Sequence, residues 1–290
     1  MTTTQPHPME QNGQAPAAGQ APFVFACITP HGGEIVPELA PGQLDLMAVT
    51  RRSMQRLGDE MTRANPEVIV IVTPHGVRID GAFAVTDCER MSGLVEENGA
   101  SLAMERKVHR PLARAIVDEA RRGVLPVGGV NYATSEGPLS CLPLDWGAMV
   151  PLYFMPETPI VVITPSRLLS MEDHIRFGQA LRRAVASSGL RTGLIASCDW
   201  AHAHAQDGPY GFDPAAAALD AKVVELVKAN DLESMAAFDS AWIAAAKPDG
   251  IWQTLILAGA LPRAARDVEL LTYEVPTYFG LLCAAVRPKA

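Results

Sequence analysis

From Phe23 onward, short apolar runs rich in Val, Ile and Thr alternate with longer stretches whose apolar residues recur three and four positions apart. The runs predict strands at Phe23–Thr29, Val68–Thr73, Ala82–Thr86, Ile160–Thr164, Thr192–Ser197, Val268–Tyr273 and Leu281–Val286. The spaced stretches predict helices over Leu44–Arg63, Pro111–Arg122, Met171–Ser187, Pro214–Ala229 and Ile251–Leu261. Several runs, such as Val68–Val72, are apolar at every position, which suits strands covered on both faces. Strands alternating with helices imply the α/β class: a mostly parallel central sheet with helices on both faces and the active site at the carboxyl ends of the strands. The pattern leaves strand order open. Residues 1–22, rich in Gln, Pro, Gly, Ala and Thr, bury too little apolar surface to offset their ordering entropy and predict a disordered tail. Residues 23–290 then read as one domain.

Composition narrows the classes of function. The 290 residues carry 24 basic and 32 acidic side chains, a net charge of −8, so a nucleic-acid partner, which needs clustered Lys and Arg, is not expected. No apolar run approaches the roughly 20 residues that span a bilayer, and nothing resembles a signal peptide; no membrane partner and a cytoplasmic location are expected. Cys27, Cys88, Cys141, Cys198 and Cys283 include no CxxC pair, which argues against a disulfide framework or a zinc knuckle.

The chemistry lies where the strands end. Two predicted strands close on the same tetrapeptide, Thr29-Pro30-His31-Gly32 and Thr73-Pro74-His75-Gly76. Pro stops a strand and Gly lets backbone approach a ligand closely, so two imidazoles delivered by neighbouring strands could meet at one metal ion. A third strand runs into Cys198-Asp199-Trp200-Ala201-His202-Ala203-His204, and a fourth ends in Thr164-Pro165-Ser166, with Ser in the His position. Two His and one carboxylate leaving open positions is the donor set of non-haem Fe(II) oxygenases. The carboxylate candidates are Asp249, in Lys247-Pro248-Asp249-Gly250, and Glu34. Asp249 could equally cap the following helix, and Asp199 could be a turn residue or hold His202 in one tautomer. His109 and His174, with charged neighbours in sequence, read as solvated surface residues, and His204 as either an auxiliary group or simply an exposed residue beside His202.

Taken in order, the two T-P-H-G motifs, L-P-L-D-W-G-A-M-V-P-L at 142–152, A-S-C-D-W-A-H at 196–202 and the closing T-Y-E-V-P-T-Y-F-G-L-L-C-A-A at 272–285 resemble the class III extradiol ring-cleavage dioxygenases, the LigB-type superfamily that also contains Memo-like proteins. The resemblance covers nearly all of Phe23–Pro288. It implies an α/β sandwich around a mostly parallel sheet, with His31 and His75 as metal ligands and His202 as the acid–base histidine. The family's third ligand is normally a Glu near the start of the last long helix; here that neighbourhood has none, and Asp249 takes its place. Trp146 stands where the family's D-H-G motif has a second active-site His. Indole donates a hydrogen bond but does not titrate, so proton delivery would fall to another group such as His204, while Trp146 could stack on an aromatic substrate.

The resemblance implies a non-haem Fe(II) enzyme opening a catechol or 2-aminophenol ring with O2, His202 acting as base and Trp146, Ser166 and His204 as substrate contacts. Alternatives on the same site are a Memo-like metal-binding or redox protein acting through partners, and a Zn- or Mn-dependent hydrolase. Specificity is expected in the loops Gly128–Leu142 and Gln206–Asp213. A homodimer or a small accessory subunit is a further expectation.

Overall fold

The structure is a computed structural model and describes residues 21–289; the expected N-terminal tail lies, up to residue 20, outside the described residues. The strands in chain order are β1 (Phe23–Thr29), β2 (Val68–Val72), β3 (Phe83–Thr86), β4 (Arg90–Glu97), β5 (Ala100–Lys107), β6 (Val127–Val130), β7 (Cys141–Pro143), β8 (Ile160–Thr164), β9 (Thr192–Ser197), β10 (Arg266–Glu274) and β11 (Leu281–Pro288). The helices are α1 (Ala48–Ala64), α2 (Arg110–Arg122), α3 (Trp146–Tyr153), α4 (Met171–Ser188), α5 (Pro214–Lys228), α6 (Ser240–Ala246) and α7 (Ile251–Ala260).

Eight strands form one sheet in the order β10-β11-β1-β9-β2-β8-β3-β6. The four central strands, β1, β9, β2 and β8, run parallel. β3 and β6 are parallel to each other and antiparallel to β8, and β11 and β10 extend the other edge antiparallel. Successive side chains enter different cores. Ala26 and Ile28 pack with Phe177, Leu181, Val223 and Leu255 of α4, α5 and α7, while Phe25 and Cys27 pack with Met54, Leu57 and Met61 of α1 and Met149 of α3. A strand buried on both faces needs no polar alternation, which is why β2 reads V-I-V-I-V and is buried at every position.

Helix α7 lies against α4 at two glycines. A Cβ on Gly178 would stand 2.1 Å from the Ile256 carbonyl oxygen, and one on Gly259 2.0 Å from that of Ile175. Since α7 begins two residues after Asp249, this close approach, which any larger side chain would prevent, fixes where that carboxylate sits.

A second sheet, β5-β4-β7, has no counterpart in the expected strand list. Its hairpin turns at Asn98-Gly99, both with positive φ (52° and 77°), the type I′ geometry that matches strand twist. Two further expectations need correction. β1 and β2 are not neighbours, because β9 lies between them. His174 is fully buried, not solvated: its Nδ1 meets the Ser170 carbonyl at 2.7 Å and its ring lies edge-on to Phe83. Glu172 and Asp173 precede it in sequence, yet the helix turns His174 inward and lowers its pKa, chiefly through burial. His109 is half-buried and caps α2, its Nδ1 accepting from the Leu112 amide.

Candidate metal centre

β1, β9 and β2 stand side by side, so the segments leaving their carboxyl ends converge on one point. β1 and β2 each end in Thr-Pro-His-Gly, and β9, between them, runs into Asp199 and His202. The Nε2 atoms of His31 and His75 stand 3.1 Å apart. Asp249 Oδ2 is 3.3 Å from the first and 3.6 Å from the second. Ligands bound to one ion at about 2.1 Å, roughly 90–110° apart, stand about 3.0–3.4 Å from one another. These three residues therefore form a group that could hold a metal ion, and Asp199, His202 and Asp249 form a second, overlapping group.

Hydrogen bonding fixes which ring nitrogens are bare. The Ser197 hydroxyl has one proton, which it donates to the Gly147 carbonyl; it therefore accepts at 2.9 Å from Nδ1–H of His31. In the neutral ring that leaves the lone pair on Nε2, aimed into the cluster. His202 is held likewise: its Nδ1 donates to the Lys247 carbonyl at 2.8 Å, and its backbone amide to the Ala246 carbonyl at 3.0 Å. Lys247 adopts a left-handed conformation (φ 57°) at the end of α6, a posture most L-residues avoid. The His202 ring stacks on Phe279 (interplanar angle 12°) and meets Tyr210 edge-on.

Burial sharpens the electrostatics. His31 is about 1% exposed. Burial alone would depress its pKa, but the Asp199 and Asp249 carboxylates beside it outweigh that and push it up to about 9. Burial likewise works to raise the Asp249 carboxyl, yet the charge and hydrogen bonds of His31 and His75 hold it well below the usual carboxylate range. Asp199 goes the other way: its burial outweighs the attraction of His31.

Asp249 does not cap α7. Gly250 holds that position, and the Asp249 Oδ1 instead accepts from the Asp199 amide at 2.8 Å. Asp199 is neither a simple turn residue nor the holder of the His202 tautomer: its Oδ1 accepts from the His31 amide at 2.9 Å, and its Oδ2 lies 3.4 Å from His31 Nε2. Sequence reasoning missed this placement; the acid three residues before His202 at a strand end was its available signal.

His31, His75, Asp199 and His202 line a cleft of about 840 Å³, while the buried Asp249 lies outside its lining. Trp146, almost half exposed, lines it and stacks on His75 at 4.2 Å. Glu34 lines it too, apart from the group formed by His31, His75 and Asp249. Tyr210, from the expected loop Gln206–Asp213, joins Tyr278 and Phe279 on one wall, while Leu94–Glu97 of the unexpected hairpin make another. Ser166 and His204 are not brought to the lining. Ser166 accepts from the Gly81 amide at 3.0 Å. His204 Nε2 pairs at 2.9 Å with the fully buried Asp220, whose carboxylate also accepts from the Ala201 amide and the Tyr273 hydroxyl. Asp220 thus anchors the segment on which His202 rides.

No helix among the described residues is long and apolar enough to cross a membrane. In fold the chain is similar to an uncharacterized protein of Escherichia coli K12, JW3007, with a TM-score of 0.58 over 90% of this chain and 98% of that one, at 19% identity. In sequence it is similar to protein CA_C1420 of Clostridium acetobutylicum, 30% identical over 253 residues that make up 85% of this chain and 54% of that protein. The chain thus spans about half the length of that relative. Residues 25–281 match the family described as the catalytic LigB subunit of aromatic ring-opening dioxygenase. That span contains both T-P-H-G histidines, the strand β9 that separates them and Asp249, and the chain belongs to the LigB family.

Proposed function

We propose that the protein is a non-haem Fe(II)-dependent extradiol dioxygenase that opens a catechol- or 2-aminophenol-type ring with O2. The observation that carries this reading is the convergence of His31, His75 and Asp249 at an aromatic-lined cleft to which both histidines and His202 contribute. His31, His75 and Asp249 would hold the metal. When bound, Fe(II) would supply a Lewis acid that lowers the pKa of a substrate hydroxyl and a redox centre able to take up O2.

The chain's own residues do the rest. Ser197 holds the His31 ring so that Nε2 presents its lone pair. The Lys247 carbonyl fixes the proton of His202 on Nδ1, so Nε2 is free to take a proton from the substrate hydroxyl. Phe279 and Tyr210 keep that imidazole from turning, and Trp146 gives the substrate ring an apolar face next to His75. These contacts position both reactants before the chemistry begins.

The decisive experiment is oxygen consumption by protein loaded anaerobically with Fe(II) and offered catechols and 2-aminophenols, with absorbance followed for the ring-opened product. Uptake with at least one substrate is expected. No uptake at full iron loading would sink the dioxygenase reading. It would favour a Memo-like partner-directed role or a Zn- or Mn-dependent hydrolase, the readings that the indole of Trp146 in place of a titratable imidazole favours.

Metal uptake should depend on pH in a defined direction. In the metal-free protein His31 is protonated up to about pH 9. Since that is above its unfolded value of about 6.5, protonated His31 stabilises the fold fully below about pH 6.5, and the contribution is lost as pH rises through about 9. A metal must displace that proton. Apparent affinity should therefore climb by up to about tenfold per pH unit on the way to pH 9 and level off above it. Competition titrations against a chromophoric chelator at several pH values would measure the slope; a flat profile between pH 7 and 9 would exclude His31 as a ligand.

A further inference from the structure

The cleft carries a charge pattern that bears on what enters it. Its lining includes Glu34, Glu96, Glu97, Asp145 and Asp199, and neither Lys nor Arg. Arg167, which stacks on Trp252 at 4.4 Å, lies outside the lining. Two of these acids have a buried carboxylate oxygen without a hydrogen-bond partner, Oε2 of Glu97 and Oδ2 of Asp145. Buried carboxylate oxygens are costly unless a donor meets them. Glu97 reaches back from the hairpin turn onto the backbone after His31, its Oε2 lying 1.5 Å from where a Cβ on Gly33 would stand. Burial first, and then the neighbouring Glu34, push the Glu97 carboxyl up from its ordinary value, as expected of two acids sharing a wall without a cation.

Aromatic rings stand beside these acids: a Cβ on Gly32 would meet both Phe279, at 3.1 Å, and the Glu34 carboxylate, at 3.9 Å. Tyr278 and Phe279 lie 4.8 Å apart, Tyr210 flanks Tyr278 and the His202 ring, and Trp146, exposed, belongs to the same lining. Ring faces attract cations, above all where carboxylates stand nearby. Apart from the histidines of the cluster, the charged side chains of the lining are all acidic, so an anionic substituent beside Glu34, Glu96 and Glu97 would meet like charge.

We infer that the cleft selects an aromatic substrate bearing an ammonium group, seated against Glu97 and Glu34 with the ring between Trp146 and the Tyr278–Phe279 wall, and that it rejects ring carboxylates. This rests on the aromatic-substrate reading above, and its test is independent of oxygen chemistry. Three probes of similar size, 2-phenylethylammonium, 2-phenylethanol and phenylacetate, would be titrated calorimetrically into the full chain. The ammonium should bind about tenfold or more tighter than the alcohol, and the carboxylate more weakly than either. Glu97→Gln and Glu34→Gln, each confirmed folded by circular dichroism, should remove most of that preference while leaving affinity for the alcohol unchanged. Equal or tighter binding of the carboxylate, a preference that survives both substitutions, or no binding by any probe at millimolar concentration would each overturn the inference. A negative oxygen-uptake result alongside ammonium-selective binding would sink the dioxygenase reading alone. Uptake confined to carboxylated catechols would sink this inference and keep that reading.

Discussion

Replacing His31 with alanine is expected to abolish stoichiometric metal uptake, and oxygen consumption with it. His31 is the most enclosed member of the cluster, and its Nε2 contacts His75, Asp199 and Asp249 within 3.4 Å. Losing even the outer partner of a metal-bound histidine typically costs about 10–100-fold in affinity; losing the ligand itself should cost at least about 100-fold. The substitution also leaves Asp199 and Asp249 facing each other without their cationic neighbour. Breaking a buried ion pair by removing one partner costs about 3–5 kcal/mol, so the variant should melt earlier in the metal-free state. Asp249→Asn separates the two effects: it keeps the shape and the bond from the Asp199 amide, removes the charge, and should lose metal with less loss of stability. Metal content by atomic spectroscopy, read beside circular dichroism, decides the matter. One full equivalent of metal retained by a folded His31→Ala protein would place the ligands elsewhere.

What could be read in advance followed from residues whose local pattern and final environment agree. The doubly apolar runs became central strands, and the repeated T-P-H-G put His31 and His75 at one rim because Pro and Gly end a strand wherever it lies in a sheet. What could not be read depended on non-local choices. Strand order is invisible to a local pattern, so the insertion of β9 between β1 and β2 went unseen, and with it the path that brings Asp199 to His31. His174 shows the same gap within one helix turn: its neighbours are charged, but the face on which it lies is set by packing on Phe83. Helix α3 is apolar on all sides and buried from Gly147 to Leu152, so it has no polar face from which to read a helical period. The hairpin β4–β5 is a different case. Asn98-Gly99 was legible as a type I′ turn, but its flanking strands mix charged and apolar residues because they bury only part of one face. Its cost was functional, since Glu96 and Glu97 of that hairpin form the acidic wall of the cleft.

Substituting His202 should separate holding the metal from using it. The ring is close enough to Asp199 and Asp249 to form the overlapping acidic group, yet its Nδ1 is committed to the Lys247 carbonyl and its face to Phe279. Its Nε2 is therefore the basic atom that the surrounding structure holds still beside the cluster. General-base contributions of a positioned imidazole are typically about 10²–10⁴-fold. His202→Gln keeps an amide that can donate to the Lys247 carbonyl but has no group that can accept a proton near neutral pH. Turnover in the oxygen-uptake assay should fall within that range, with metal content unchanged and the loss falling on kcat rather than KM. His202→Ala should fall as far, and imidazole added to the buffer should restore part of its rate, because the space left between Phe279 and Tyr210 is bounded on the sides that held the original ring. A merely structural histidine would behave otherwise: the alanine variant would be the worse of the two, its melting temperature would drop in step with rate, and imidazole would do nothing. Turnover within a few-fold of wild type in both variants would move the proton-accepting role away from His202. The Asp145 and Glu97 carboxylates, each with an unpartnered oxygen in the same lining, would be the next groups to substitute.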